Sequence, residues 1–168
     1  MKKIFSIMLC MVMLLSSCGK KKDQIRETVY PSELITTEEL SAYVGYSPIV
    51  TEDGNRRERI ATYVSDPIGK GETVKISVRQ KSQFQSDDEI KAKFDEIVNA
   101  RSDAYEIGDL GDVKAYIVYP SLHYYIDGYH IQVTAGSGSN ELQKALLTNI
   151  SKITLNKLSK ITGIKIPK

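Results

Sequence analysis

The stretch SLHYYIDGYHIQVTA, residues 121–135, constrains the fold more than any other part of the chain. Two alternating runs flank Asp127-Gly128, and Asp-Gly in that setting signals a two-residue turn, because both turn positions must accept positive φ. A turn of that length fixes the register. Ile126 must pair with Tyr129, Tyr124 with Ile131 and Leu122 with Val133, and these six side chains make one apolar face. The other face carries His123, Tyr125, His130, Gln132 and Thr134. The two histidines become diagonal neighbours, with about 7–8 Å between their backbones.

The rest of the chain supplies partners for this hairpin. TTEELSAYVGY reads as a short helix: Thr36 and Glu39 form a capping box, Leu40, Tyr43 and Val44 share a face, and Gly45 stops it. PIVTEDGNRRERIATYV gives two extended stretches with the turn expected at Asp53-Gly54. Its run Arg56, Arg57, Glu58, Arg59 is either an anion site or a solvated strand edge of mixed sign, which discourages edge pairing. TVKISVRQK alternates as a half-buried strand, with Val74, Ile76 and Val78 inward and Lys75, Ser77 and Arg79 toward water. SDDEIKAKFDEIVNAR is a capped amphipathic helix with Ser86 and Glu89 at its start and a stripe of Ile90, Phe94, Ile97 and Val98. Three strands follow, divided near Pro120 and at Asp127-Gly128. The last helix has Leu142, Leu146, Ile150, Ile153 and Ile161 at helical spacing and closes at Thr162-Gly163. The expected order is α-ββ-α-βββ-α: an α+β domain over residues 32–168, with an antiparallel sheet of about five strands and helices packed on it.

The first residues have a different logic. Lys2 and Lys3 precede an apolar segment from Ile4 to Leu15, and Ser16-Ser17 supply small residues before Cys18. Charged, apolar, then small is the layout of a secretory leader. The apolar part is about a dozen residues long, short of the roughly 20 that span a bilayer. Leu15-Ser16-Ser17-Cys18 resembles the lipobox of bacterial lipoproteins. The resemblance implies cleavage after residue 17, a diacylglyceryl group on the Cys18 sulfur, and residence on the extracytoplasmic face of the cell membrane. Residues 18–31 then read as the lipidated cysteine and a polar tether, with a reach of roughly 20 Å. Two acyl chains hold a protein stably where one does not, and Lys20, Lys21 and Lys22 sit where anionic headgroups would attract them. Gly19 follows the cysteine, so no aspartate there argues for inner-membrane retention in a two-membrane cell; the expectation leans to a one-membrane envelope.

Composition narrows the roles. The chain holds two cysteines, Cys10 and Cys18, so the mature domain would have neither a free thiol nor a disulfide, and its stability must come from packing. Net charge is +2 for the whole chain and near zero without Lys2 and Lys3, which leaves no basic field for nucleic acid. The layout, together with GDLGDVKAY leading into a meander, resembles small bacterial lipoproteins whose domains are similar to the PsbP-like sandwich. That resemblance implies a binding or accessory role and carries no functional residues with it.

No pattern argues for catalysis, and none calls for a cofactor. The acidic pairs Glu38-Glu39, Asp87-Asp88 and Asp95-Glu96 belong to helix starts and wet helix faces. AGSGSNELQK lacks the Lys-Ser/Thr ending of a phosphate loop and reads as a flexible connection. The face of His123, Tyr125, His130 and Gln132, with Tyr116 beside it, has two readings: an amphipathic outer face partly covered by a helix, or a ligand surface, since rings with polar tips suit a glycan or peptide. The first expectation is thus a non-catalytic binding or accessory module, engaging an envelope protein or glycan through this exposed sheet face. The second is a metal- or small-ligand-binding lipoprotein using His123 and His130, with Asp127 or Glu106 as a conceivable third ligand.

Overall fold

A computed structural model describes residues 25–65, 73–84, 86–136 and 140–167. Among them are three helices and seven strands: α1 (Thr37–Val44), β1 (Pro48–Gly54), β2 (Arg59–Ser65), β3 (Val74–Gln80), α2 (Asp87–Asn99), β4 (Tyr105–Glu106), β5 (Ala115–Val118), β6 (Ser121–Ile126), β7 (Tyr129–Ala135) and α3 (Glu141–Thr162). The class is α+β and the sheet is antiparallel throughout, in the order β1-β2-β3-β7-β6-β5-β4. The order α-βββ-α-ββββ-α replaces the expected five strands. All three extended segments before α2 join the sheet, β1 pairing with β2 and β2 with β3. Tyr105 and Glu106 add an edge too short to show alternation, pairing with Ile117 and Tyr116.

The β6–β7 register follows the turn as deduced: Ile126 pairs with Tyr129, Tyr124 with Ile131 and Leu122 with Val133. Asp127 and Gly128 both take positive φ, at 44° and 81°. The turn expected at Asp53-Gly54 is displaced. Both residues end β1, Gly54 pairs with Arg59, and Asn55–Glu58 make the turn. Asn55 Oδ1 accepts from the Arg57 and Glu58 N–H groups, so an Asx turn wins over Asp-Gly. Gly54 serves for space, because a Cβ there would lie 2.8 Å from the Glu58 carbonyl oxygen.

α1 has its reciprocal Thr36/Glu39 capping box and a left-handed Gly45 stop. Ser86 Oγ accepts from Glu89 N–H at the start of α2. α3 ends at a left-handed Gly163, and of the expected stripe Ile150 is buried and Leu146, Ile153 and Ile161 pack partly buried against the core, with Leu142 alone facing away. Leu147, Ile150, Ser151, Thr154, Leu155 and Leu158 are buried, while Leu142 is 83% exposed. Small hydroxyl residues let the helix sit close to the sheet, and Thr154 Oγ1 meets the buried Tyr124 hydroxyl at 2.9 Å.

The sheet lies between layers. One face gathers Val74, Ile76, Val78, Leu122, Tyr124, Ile131 and Val133 under α3 and Leu40 of α1, and it forms the main core. The opposite face of β3, β7 and β6 is covered by α2 through Ile90, Phe94 and Val98. The segment expected to be tether up to residue 31 is bound to the domain from Arg26 onward. Arg26 N–H donates to Ile161 O, and Tyr129 hydroxyl donates to Glu27 O. The fully buried Gln80 amide pairs with both backbone groups of Val29, at 2.8 and 3.0 Å.

Candidate functional site

The residues singled out from the sequence form a polar network beneath α2. β3, β7 and β6 bring Arg79, His130 and His123 onto one face, with Arg79 paired to His130 and Tyr125 to His130 across the strands. Arg79 forms an ion pair with Glu58 from the β1–β2 turn, and its Nη1 lies 3.3 Å from His130 Nδ1. His130 Nε2 is 3.1 Å from His123 Nδ1. A guanidinium only donates, so His130 Nδ1 accepts, its Nε2–H donates to His123 Nδ1, and the remaining His123 proton sits on Nε2. The arginine thus sets both tautomers.

This face is closed rather than open. His123 is 3% and His130 0% exposed, and the Phe94 ring meets His130 edge-on at 5.3 Å while contacting Tyr125 and Tyr116. Burial and the Arg79 charge push His123 down to about 4 and hold His130 well below the usual imidazole range. The facing nitrogens are committed to each other and stand beside a cation. That is the reverse of what a metal ion needs. Glu106 instead takes a long contact from the Tyr116 hydroxyl, and Asp127 sits exposed in the hairpin turn. Among the described residues no group of three His, Cys, Asp or Glu side chains could hold a metal. Tyr125 and Gln132 are half-buried; Gln132 Nε2 donates to Ser121 and Thr134 hydroxyls, and Tyr125 hydroxyl accepts from Gly128 N–H. Cys18 and the serine–glycine loop at 137–139 lie outside the described residues.

A different site opens at the tip of the β1–β2 hairpin. A cleft of about 780 Å³ lies between that tip, the N-terminal segment and the turn after β3, lined by Tyr30, Glu52, Asp53, Arg56, Arg59 and Gln83 among others. The groove between β3 and α2 is about 340 Å³. The Arg59 guanidinium carbon lies 4.2 Å over the centroid of the Tyr30 ring, a cation–π contact. Glu52 Oε1 accepts from Ser32 N–H and Asp53 Oδ1 from Gly54 N–H, so each carboxylate is held while keeping a second oxygen. Gln83 Oε1 is buried with no hydrogen-bond partner among the described residues. Both charge signs therefore meet beside an aromatic wall. Of these residues the sequence pointed only to the arginine run, as one of two readings; the displaced turn carries Arg56 and Arg59 into the cleft. Tyr30, Glu52 and Gln83 carried no local signal, because they converge from segments far apart in the chain.

No family model, curated protein or solved structure matches this chain.

Proposed function

We propose that the chain is a bacterial lipoprotein: an extracytoplasmic protein anchored to the cell membrane through Cys18, acting as a non-catalytic binding or accessory module at the cell envelope. The observation that carries the address is the run from Lys2 to Cys18, charged, apolar, small, then cysteine. The resemblance to lipoproteins with PsbP-like domains supports the accessory role. The cleft beside Tyr30 supports binding, since its groups are those that recognise a ligand: two cations, two carboxylates, an amide and a ring. The closed histidine face moves the expected contact surface from the sheet to the hairpin tip. Attachment at Arg26 and Val29 means that a pull on the anchor is borne by the core.

The experiment is mass analysis of the chain purified from its native host's membranes, with Cys18→Ala alongside. A diacylglyceryl cysteine at the new N-terminus is expected, and Cys18→Ala should leave the leader uncleaved. An unmodified thiol at residue 18, or an intact leader on the wild-type chain, overturns the proposal.

A further inference from the structure

From the geometry we infer that the Tyr30–Arg59 cleft takes the headgroup of a phospholipid carrying both a phosphate and a primary ammonium, in the bilayer to which the chain is anchored. The inference rests on the anchored reading for its membrane and on the cleft for its chemistry.

The first ground is position. Strand pairing puts Gly54, Arg59, Gln80 and Tyr129 at one end of the sheet. The chain enters the domain at that end, where Val29 meets Gln80 and Glu27 meets Tyr129. Ile25 follows Cys18 by seven residues, so even fully extended it stays within about 25 Å of the anchor. Tyr30 comes five residues later, within about 18 Å of Ile25 on the same count. The cleft is thus tied to the membrane-facing end, and the β6–β5 turn at Ser121 to the far one.

The second ground is charge. Arg56 has no ionic partner among the described residues. Together with the Arg59 guanidinium in the same cleft it offers donors of the kind that suit a phosphodiester. The unused oxygens of Glu52 and Asp53 accept hydrogen bonds, which an ethanolamine ammonium donates and a trimethylated choline does not. A purely anionic headgroup would face these carboxylates unpaired. Tyr30 and Pro31 give the glycerol backbone an apolar wall.

The test uses the full chain as purified from its host, ¹⁵N-labelled and held in dodecyl maltoside, titrated with short-chain dihexanoyl phospholipids. Phosphatidylethanolamine should shift the amides of Tyr30, Arg56 and Arg59 and bind at least tenfold more tightly than phosphatidylcholine or phosphatidylglycerol. Arg56→Ala, an exposed turn substitution, should weaken it at least tenfold. Asp53→Asn should narrow the preference for ethanolamine over choline. Equal binding of all three lipids, shifts elsewhere on the domain, or indifference to Arg56→Ala overturns the inference. Free phosphoethanolamine binding as tightly as the lipid would mark a soluble ligand and overturn the membrane source. The titration reads the cleft whether or not Cys18 is acylated, so its failure is separate from failure of the anchor.

Discussion

Acid should weaken this domain through the two histidines under α2. Both imidazoles are neutral in the fold. His123 is held at about 4 against an ordinary 6.5, first by burial and then by Arg79; His130 is lowered by burial, by Arg79 and by His123. In the unfolded chain both take up protons once the pH drops below about 6.5. The unfolded state then binds more protons than the folded one, so stability is full above that pH and is lost as the pH falls toward 4. At about 1.4 kcal/mol per pH unit, His123 alone accounts for about 3 kcal/mol, and His130 adds to it with the same sign. A domain with about 5–15 kcal/mol in total feels such a loss. Urea unfolding at pH 7, 5.5 and 4 measures it, with His123→Asn/His130→Asn as the control that keeps hydrogen-bonding groups and removes the titration. The wild-type chain should lose at least about 3 kcal/mol more than the double variant over that range. Equal slopes in the two proteins, or imidazole resonances titrating near 6.5, would refute the reasoning.

Gln80→Leu should cost about 1–3 kcal/mol for each Val29 backbone group it strands, read as a lower urea midpoint. Tyr129→Phe, which removes only the bond to Glu27 O, should cost less. Thr154 Oγ1 already donates to Ser151 O, so Tyr124 must donate to Thr154. Thr154→Val therefore orphans a buried donor and should cost more than Tyr124→Phe, and in a double-mutant cycle the pair together should cost less than the two singles summed.

The elements whose rules act over a few residues were legible. The Asp127-Gly128 turn sets its own register because a two-residue loop admits one pairing, and the Thr36/Glu39 box and Gly163 mark helix ends by chemistry within one turn. Where two local rules competed, the outcome was not legible: Asp53-Gly54 lost to Asn55, whose side chain bonds two N–H groups at once. The α3 stripe was legible at Leu146, Ile150, Ile153 and Ile161, which pack on the core, and misled only at Leu142, which matches helical spacing yet is exposed. The deepest line of the helix, at Thr154 beside Tyr124, was not legible, because its hydroxyl residues carry no apolar signal.

What the sequence by itself determined is which residues share a side of each strand, since side chains alternate whatever else the chain does. Whether that side meets water or a helix was decided only by tertiary structure. His123, His130 and Arg79 show the same alternation for either outcome, and the docking of Phe94 seals them in. The Glu58 carboxylate, arriving from a distant turn, makes that burial tolerable by pairing the arginine. The cleft has the same origin, for no local pattern links Tyr30, Arg59 and Gln83 until the sheet and the N-terminal segment bring them together.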